Sequence, residues 1–350
     1  MSRIRNKVMM YRNYNVPVDK IFCGDNLELI RQLPDDSIQL VITSPPYFQQ
    51  RDYGGGMGNE ENVEQYIEIL LRLFRECVRV LKDDGSIVFN LGDKYQNGSL
   101  LLVPYRFAIT VTETGIVKLV NEITWVKKNP TPRQFQRRLV SSTEPFFHFV
   151  KSDKYFYNLD AFMASDGYRK KSRNGKNSGQ KYFALIEQSD LNKEQKSKAQ
   201  LALAEVIQEV RSGQIDSFRM KIRGIHAEPF GGQEGGRKIQ LEKNGFTIIR
   251  IHGNKLKKDV IEMPVESIKG CKHPAIYPVA IVEEFLHLLT RIGDLVLDPF
   301  IGSGSTAVAC KKLGRHFIGY DINPEYCDLA RERIANTPSE ILYLFSKFTL

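Results

Sequence analysis

The sequence predicts an α/β fold: a doubly wound, seven-stranded and mainly parallel sheet that carries an inserted second domain. Two observations support this prediction. Short aliphatic runs alternate with segments of helical periodicity, which is typical of parallel strands joined by crossover helices. A long polar and basic stretch interrupts this alternation after residue 160. The predicted strands are residues 18–23, 38–43, 86–91, 118–126, 145–150, 294–298 and 316–320.

The segments between the strands predict helices and connections. Residues 63–81 and 277–290 repeat apolar side chains at intervals of three and four, so both predict amphipathic helices. The strands at 118–126 and 145–150 are connected through a Pro-Thr-Pro turn without a helix. We therefore expect them to form an antiparallel pair at an edge of the sheet.

The composition is that of an ordinary globular protein, with 42% hydrophobic and 26% charged residues among 350. No segment approaches the roughly 20 apolar residues that span a bilayer, and no signal-peptide core follows the basic start. We expect a cytoplasmic protein that does not contact a membrane. The five cysteines have no Cys-x-x-Cys spacing, which argues against a zinc site and a disulfide framework.

The positive charge is concentrated in one part of the chain. The formal net charge is +9, and residues 161–270 hold 21 Lys and Arg against 13 Asp and Glu. The other 240 residues hold 29 and 28. Such a segment fits phosphate contacts with a nucleic acid, although a charge run can also be plain solvated surface.

A proline-rich tetrapeptide, Ser44-Pro45-Pro46-Tyr47, follows the predicted strand 38–43. The two prolines donate no backbone hydrogen bonds and stiffen the loop, so its carbonyls can point into a cavity. Ser44 adds a hydroxyl acceptor and Tyr47 an aromatic face. Acceptors beside a stacking face suit the exocyclic amine of a base flipped out of its helix. The alternative is an ordinary strand exit with a core tyrosine.

A glycine loop follows the predicted strand 294–298, in the sequence Asp-Pro-Phe-Ile-Gly-Ser-Gly. Gly302 and Gly304 permit close backbone approach, and the next helix N-terminus favours an anionic group. Nineteen residues after Gly302, another strand ends in Asp321, a spacing typical of an acid that binds ribose hydroxyls. The combination predicts a nucleoside-cofactor site. An NAD-dependent oxidoreductase is the distant alternative, although the third glycine of Gly-x-Gly-x-x-Gly is missing.

With both motifs in this order, the chain resembles the amino-methylating DNA methyltransferases of the β class, over residues 18–160 and 265–336. The resemblance implies S-adenosylmethionine (AdoMet) as cofactor and double-stranded DNA as substrate, and it leaves open whether a cognate restriction endonuclease is the genetic partner. It also implies base flipping and a direct in-line methyl transfer. Serine in the first motif position resembles the members that methylate cytosine at N4, whereas aspartate there mostly marks N6-adenine methylation, which stays as the alternative.

The resemblance also implies residue roles. The catalytic residues would be Ser44, Pro45, Pro46 and Tyr47. Asp25 matches a position that accepts from the cofactor's adenine amino group, and it fits equally well as the N-cap of the next helix. The other implied cofactor-binding residues are His273, Asp298, Phe300, Gly302, Gly304 and Asp321, and no metal is implied.

The predicted domain organisation follows the two motifs. Residues 1–160 form the N-terminal part of the catalytic domain with the catalytic loop, and residues 266–336 form its C-terminal, AdoMet-binding part. Residues 161–265 are the target-recognition insert, and residues 337–350 are a tail. In this permuted order, the first strand (18–23) is expected to lie beside the last (316–320). The oligomeric state stays open.

Overall fold

The computed structural model describes residues 16–50, 56–130, 137–158, 179–212, 215, 217–226, 237–251, 258–266 and 278–338. Two units are distinguished along the chain: Met1–Asp166 with Lys258–Leu350, and Gly167–Lys257. None of the helices in the described ranges is long and apolar enough to cross a membrane.

The described residues form twelve strands and nine helices, which we number in chain order. The strands are β1 (Lys20–Cys23), β2 (Ile38–Thr43), β3 (Leu81–Asn90), β4 (Tyr95–Gln96), β5 (Ser99–Leu100), β6 (Lys118–Lys127), β7 (Thr143–Val150), β8 (Ser217–Ile222), β9 (Phe246–Ile251), β10 (Val260–Met263), β11 (Leu295–Asp298) and β12 (His316–Asp321). The helices are α1 (Asn26–Ile30), α2 (Val63–Val80), α3 (Val103–Glu113), α4 (Gln180–Gln188), α5 (Lys193–Ser212), α6 (Arg237–Asn244), α7 (Val279–Leu289), α8 (Ser305–Leu313) and α9 (Pro324–Ala335).

The larger unit is built on one eight-stranded sheet in the order β1-β12-β11-β2-β3-β7-β6-β10. All six residues of β2 are buried, and its aliphatic side chains are divided between two hydrophobic clusters. Val41 packs in the cluster that contains Phe74 of α2, and Leu40 packs in the cluster that contains Phe285 of α7. Helices therefore cover both faces, which is the predicted doubly wound arrangement.

The predicted count of seven strands is wrong by one. β10 pairs parallel with β6, in the register Val260↔Thr124 to Met263↔Lys127. The predicted antiparallel pairing of β6 with β7 is confirmed, but β10 covers β6, which is therefore not the edge strand. β10 has only four residues, one of them a glutamate, and it lies at the end of the basic insert. It has no aliphatic run that could have indicated a strand.

The two chain-distant strands of the catalytic sheet meet as expected from the permuted motif order. β1 pairs parallel with β12, in the register Lys20↔Ile318 to Cys23↔Asp321. Asp25 and Asp321 thus lie at the ends of neighbouring strands at the same edge of the sheet, where parallel α/β sheets bind their ligands.

The smaller unit has its own core. β8 and β9 form an antiparallel pair in the register Ser217↔Ile251 to Ile222↔Phe246. Alternate residues of β8 are buried, as expected for a strand with one covered face. The core cluster joins this strand to α4 and α5 and includes Ile186, Leu203, Val206, Phe218, Met220 and Ile222.

Candidate active site

A cavity of about 250 Å³ lies at the carboxyl ends of β1, β2, β11 and β12. Residues from both sequence motifs line it, so the fold brings the catalytic loop and the glycine loop to one site. The predicted site residues in its wall are Asp25, Ser44, Pro45, Pro46, Tyr47, Phe300, Gly302 and Asp321. His273 lies outside the described residues.

Asp298 does not line the cavity but lies beneath the glycine loop, where it is 1% exposed. Its Oδ1 accepts from Thr43 Oγ1 at 2.6 Å and from the Phe300 amide at 3.1 Å. Its Oδ2 accepts from Thr306 Oγ1 at 2.6 Å. The carboxylate therefore joins the ends of β2 and β11 to the start of α8, which differs from the direct cofactor contact that the motif suggested.

Asp321 is held by two backbone amides at the cavity wall. Gly302 N donates to its Oδ2 at 3.0 Å, and Asn323 N donates to its Oδ1 at 2.9 Å. Burial raises the pKa of this carboxyl, and the amide hydrogen bonds oppose that effect. Each carboxylate oxygen has further lone pairs, so Asp321 can still accept hydrogen bonds from a ligand in the cavity.

Gly302 and Gly304 serve different purposes. Gly302 (φ 48°) lines the cavity with its backbone. Gly304 (φ 87°) is the N-cap of α8, and a Cβ there would lie 2.8 Å from Ala330 Cβ of α9. Gly304 therefore permits the close packing of α8 on α9, and its contact with a cofactor stays a prediction.

Ser305 begins α8 and lines the same cavity, and the residue is 4% exposed. Its Oγ has no hydrogen-bond partner among the described residues. A buried hydroxyl without a partner is costly, so this atom suits a polar group of a bound molecule. The site therefore fits a cofactor that has both ribose hydroxyls and a polar group near the helix start.

Asp25 has the role of an N-cap and also lines the cavity. Its Oδ1 accepts from Glu28 N at 3.0 Å, which caps α1. The neighbouring Asn26 donates from Nδ2 to the Pro299 carbonyl at 3.2 Å. This bond holds α1 against the glycine loop, a role that the sequence did not indicate.

The catalytic loop is fixed by hydrogen bonds at both ends. Tyr66 Oη donates to the Pro46 carbonyl at 2.8 Å. Tyr47 Oη lies 2.7 Å from Asn90 Oδ1 and 2.9 Å from Glu144 Oε2, and Ser44 Oγ lies 3.2 Å from the same Asn90 oxygen. The loop is therefore stiff, as its prolines predict, and its serine and tyrosine are joined through Asn90.

The ring of Tyr47 is packed against the backbone of Gly92. A Cβ at residue 92 would lie 2.3 Å from two carbons of the ring, so no other residue fits there without moving Tyr47. Tyr47 is 8% exposed and contributes to the cavity wall. Gly92 therefore fixes the position of the ring of Tyr47.

Two contributors to this site, Asn90 and Glu144, received no role from the sequence. Asn90 is fully buried at the end of β3, and Glu144 lies in β7 beside Lys127 of β6. A polar residue directly after the apolar run Ile87-Val88-Phe89, as Asn90 is, was the one available signal. Only the pairing of β7 with β3 and β6 brings Glu144 into reach.

Comparison with known proteins identifies the family. The N6/N4 methyltransferase family model, described as a DNA methylase, matches residues 38–332. The chain is a member of this DNA methylase family. Type II methyltransferase M.SfiI of Streptomyces fimbriatus is 29% identical over 374 residues, covering 87% of this chain and 88% of the relative.

Solved structures share the fold of this methylase. The PvuII cytosine-N4-specific DNA methyltransferase matches with a TM-score of 0.58 and 20% identity, over 92% of this chain and 89% of that one. The Thermus thermophilus protein TTHA0409, solved with S-adenosyl-L-methionine, matches with a TM-score of 0.50 and 21% identity, over 91% and 95%. The predicted methyltransferase fold is confirmed, and AdoMet is the cofactor of this DNA methylase. The NAD-dependent alternative is thereby excluded.

Proposed function

We propose that this DNA methylase transfers the methyl group of AdoMet to the exocyclic N4 of cytosine in double-stranded DNA. The observation that carries the proposal is the position of Ser44 in the wall of the cavity that also contains Gly302 and Asp321. A hydroxyl in the first position of the catalytic motif is the feature that resembles N4-cytosine enzymes. The fold shared with the PvuII enzyme supports the same choice.

Residues from the glycine loop and the neighbouring strand ends would hold the cofactor. AdoMet supplies an electrophilic methyl group on a sulfonium centre. Asp321 accepts from the ribose hydroxyls, because its carboxylate is fixed by backbone amides and keeps lone pairs toward the cavity. Asp25 accepts from the adenine amino group, and Ser305 Oγ bonds the polar end of the methionine moiety. His273 remains predicted for that same end.

The catalytic loop would orient the amine of the target base. The lone pair of that amine is delocalised into the ring, so the enzyme has to draw the amine hydrogens aside and align the nitrogen with the methyl group. Ser44 Oγ and the Pro45 carbonyl accept these hydrogens, and Tyr47 provides the stacking face for the flipped base. Rate enhancement then comes from positioning and electrostatic complementarity, without a covalent intermediate.

The smaller unit, residues 167–257, is proposed to contact DNA. It holds 19 Lys and Arg against 9 Asp and Glu, whereas the rest of the chain holds 31 against 32. In β8 and just after it, Arg219, Lys221 and Arg223 alternate with the buried Phe218, Met220 and Ile222. This face of the strand is therefore a basic stripe, the form expected of a surface that contacts phosphates.

Mass spectrometry of nucleosides tests the proposed reaction. DNA treated with the protein and AdoMet is digested, and the product is expected to be N4-methyldeoxycytidine, formed more slowly with Ser44→Ala. N6-methyldeoxyadenosine in its place would establish the alternative substrate. Mapping the modified position would then define the recognised site, and a cognate endonuclease, the proposed genetic partner, is expected to spare DNA methylated there.

A further inference from the structure

Four polar side chains meet behind the catalytic loop, and we call them the oxygen cluster: Ser44, Tyr47, Asn90 and Glu144. Asn90 Oδ1 lies 3.2 Å from Ser44 Oγ and 2.7 Å from Tyr47 Oη. Tyr47 Oη is also 3.3 Å from Ser44 Oγ and 2.9 Å from Glu144 Oε2. A cluster of oxygens this close is stable only if hydroxyl protons lie between the oxygen atoms.

Two of the oxygen atoms in the cluster, Asn90 Oδ1 and Glu144 Oε2, can only accept hydrogen bonds. Asn90 Nδ2 donates to the Pro145 carbonyl at 3.0 Å, which turns Asn90 Oδ1 toward the two hydroxyls. Glu144 forms an ion pair with Lys127, in which the two side chains are 14% and 19% exposed. A carboxylate paired with an ammonium group has no proton to donate. The cluster therefore contains two hydroxyl protons, from Ser44 and Tyr47, and two fixed acceptors.

The tyrosine proton is drawn away from the serine. Asn90 Oδ1 and the Glu144 carboxylate are both stronger acceptors than a serine hydroxyl, and both lie within 3 Å of Tyr47 Oη. The Ser44 proton then has its partners inside the cluster, either Asn90 Oδ1 or Tyr47 Oη. With that proton used, Ser44 Oγ presents only lone pairs to the cavity.

We infer that Asn90 and Glu144 are positioning residues that commit the Ser44 hydroxyl to accepting a hydrogen bond from the target amine. The inference rests on the proposed function, because it concerns the same catalytic loop. A free serine hydroxyl can either donate or accept, and only acceptance assists an amino group that has to release its lone pair. Asn90 and Glu144 thus prevent the Ser44 hydroxyl from pointing its proton at the target amine before the base enters.

Lys127 anchors this arrangement from the far side. Its ammonium group contacts Glu144 Oε1 and lies 5.1 Å from the centre of the Trp125 ring. Trp125 Nε1 donates to the Met263 carbonyl of β10 at 3.0 Å. The carboxylate of Glu144 is consequently held in one place by the neighbouring strand β6, so it is a fixed acceptor.

A double-mutant cycle tests the inference. Asn90→Leu keeps a similar volume but removes the acceptor, and it is combined with Ser44→Ala, with single-turnover methyl transfer and AdoMet affinity measured for all four proteins. With Ser44 present, Asn90→Leu is expected to slow methyl transfer by at least about tenfold. This factor corresponds to the loss of one buried hydrogen bond in the transition state. In the Ser44→Ala background the further loss should be below about twofold, because the group that Asn90 orients is already gone.

The cycle separates orientation of Ser44 from a structural effect. If Asn90→Leu acted by displacing Tyr47 or by loosening the fold, the loss would be equally large with Ser44→Ala, and that result would overturn the inference. AdoMet affinity within about twofold of the parent would establish that each variant is folded.

Glu144→Gln, which keeps the shape and weakens the acceptor, provides a second variant. It should slow transfer by a smaller factor that also disappears with Ser44→Ala. If Glu144→Gln transferred the methyl group at the parental rate, the positioning role assigned to Glu144 would be overturned. The identity of the methylated base in the parent is measured separately, so an adenine product would refute the proposed substrate while the cycle still tests Asn90 and Ser44.

Discussion

The Thr43 hydroxyl donates a 2.6 Å hydrogen bond to the Asp298 carboxylate, and both residues are 1% exposed. Thr43 ends the strand that leads into the catalytic loop, and Asp298 ends the strand that leads into the glycine loop. This buried bond therefore joins the ends of two strands that are already paired in the sheet, at the point where each leads into its loop.

Thr43→Val removes this bond while keeping the side-chain shape. Asp298 would lose one partner inside the protein, so we expect the free energy of unfolding to fall by about 1–3 kcal/mol. Urea denaturation measures the change. Thr110→Val is the control, because Thr110 is only partly buried and its hydroxyl bonds a carbonyl of its own helix. Equal losses in the two variants would contradict a special role for the Thr43–Asp298 bond.

Gly92→Ala should impair turnover without affecting the cofactor. The added Cβ would lie 2.3 Å from carbons of the Tyr47 ring and would push it from its position. We expect a lower rate of methyl transfer and unchanged AdoMet affinity, measured by single-turnover assay and titration. Gly98→Ala is the control for methyl transfer: a Cβ there has nothing within 4 Å, and its positive φ of 79° costs stability without a contact to Tyr47. Normal transfer by Gly92→Ala would mean that the observed position of Tyr47 is not needed.

Gly304→Ala should destabilise the protein through helix packing. Alanine disfavours the positive φ of 87°, and its Cβ would be 2.8 Å from Ala330 Cβ. We expect a loss of about 1 kcal/mol or more in the free energy of unfolding. Ala330→Gly relieves the contact, so the double variant should lose less than the sum of the single ones. Strict additivity would indicate that the Cβ contact contributes nothing.

The raised pKa of Asp321 predicts that cofactor binding depends on pH. Burial raises the pKa of this carboxyl, so protonation begins above the ordinary range for aspartate and removes acceptors for the ribose hydroxyls. AdoMet affinity should therefore fall as the pH is lowered through the raised pKa. The native state also binds the proton more tightly than the unfolded chain does. The free energy of unfolding should consequently fall as the pH rises from the ordinary to the raised pKa.

Titration and denaturation over the acidic range measure both effects. Asp321→Asn should bind AdoMet weakly and should lack both pH dependences, since an amide does not titrate there. A parental pH profile in Asp321→Asn would assign the titration to another group.

The sequence predicted those features of the fold and the site that depend on local residue patterns. The apolar runs located most strands of the catalytic sheet, and the two motifs located nearly half of the residues in the cavity wall. It did not predict β10, whose four residues become a strand only because β6 offers an open edge. Nor did it predict Asn90 and Glu144, which meet Tyr47 through strand pairing. For Asp298 and Gly304 the structure adds packing and hydrogen-bonding roles that a motif does not indicate, and their cofactor contacts stay predictions.

The pairing of β1 with β12 has a consequence for folding kinetics. Phe317 N donates to Asp19 Oδ1 across 298 residues of chain. The cofactor site, which has residues from both strands' ends, therefore does not form until a very long loop has closed. Closing such a loop adds little to the equilibrium cost but makes the step slow, and it exposes the edge strands meanwhile. A ligand that binds only the closed form stabilises it by mass action. AdoMet would then raise the yield of refolded protein as well as serving the reaction.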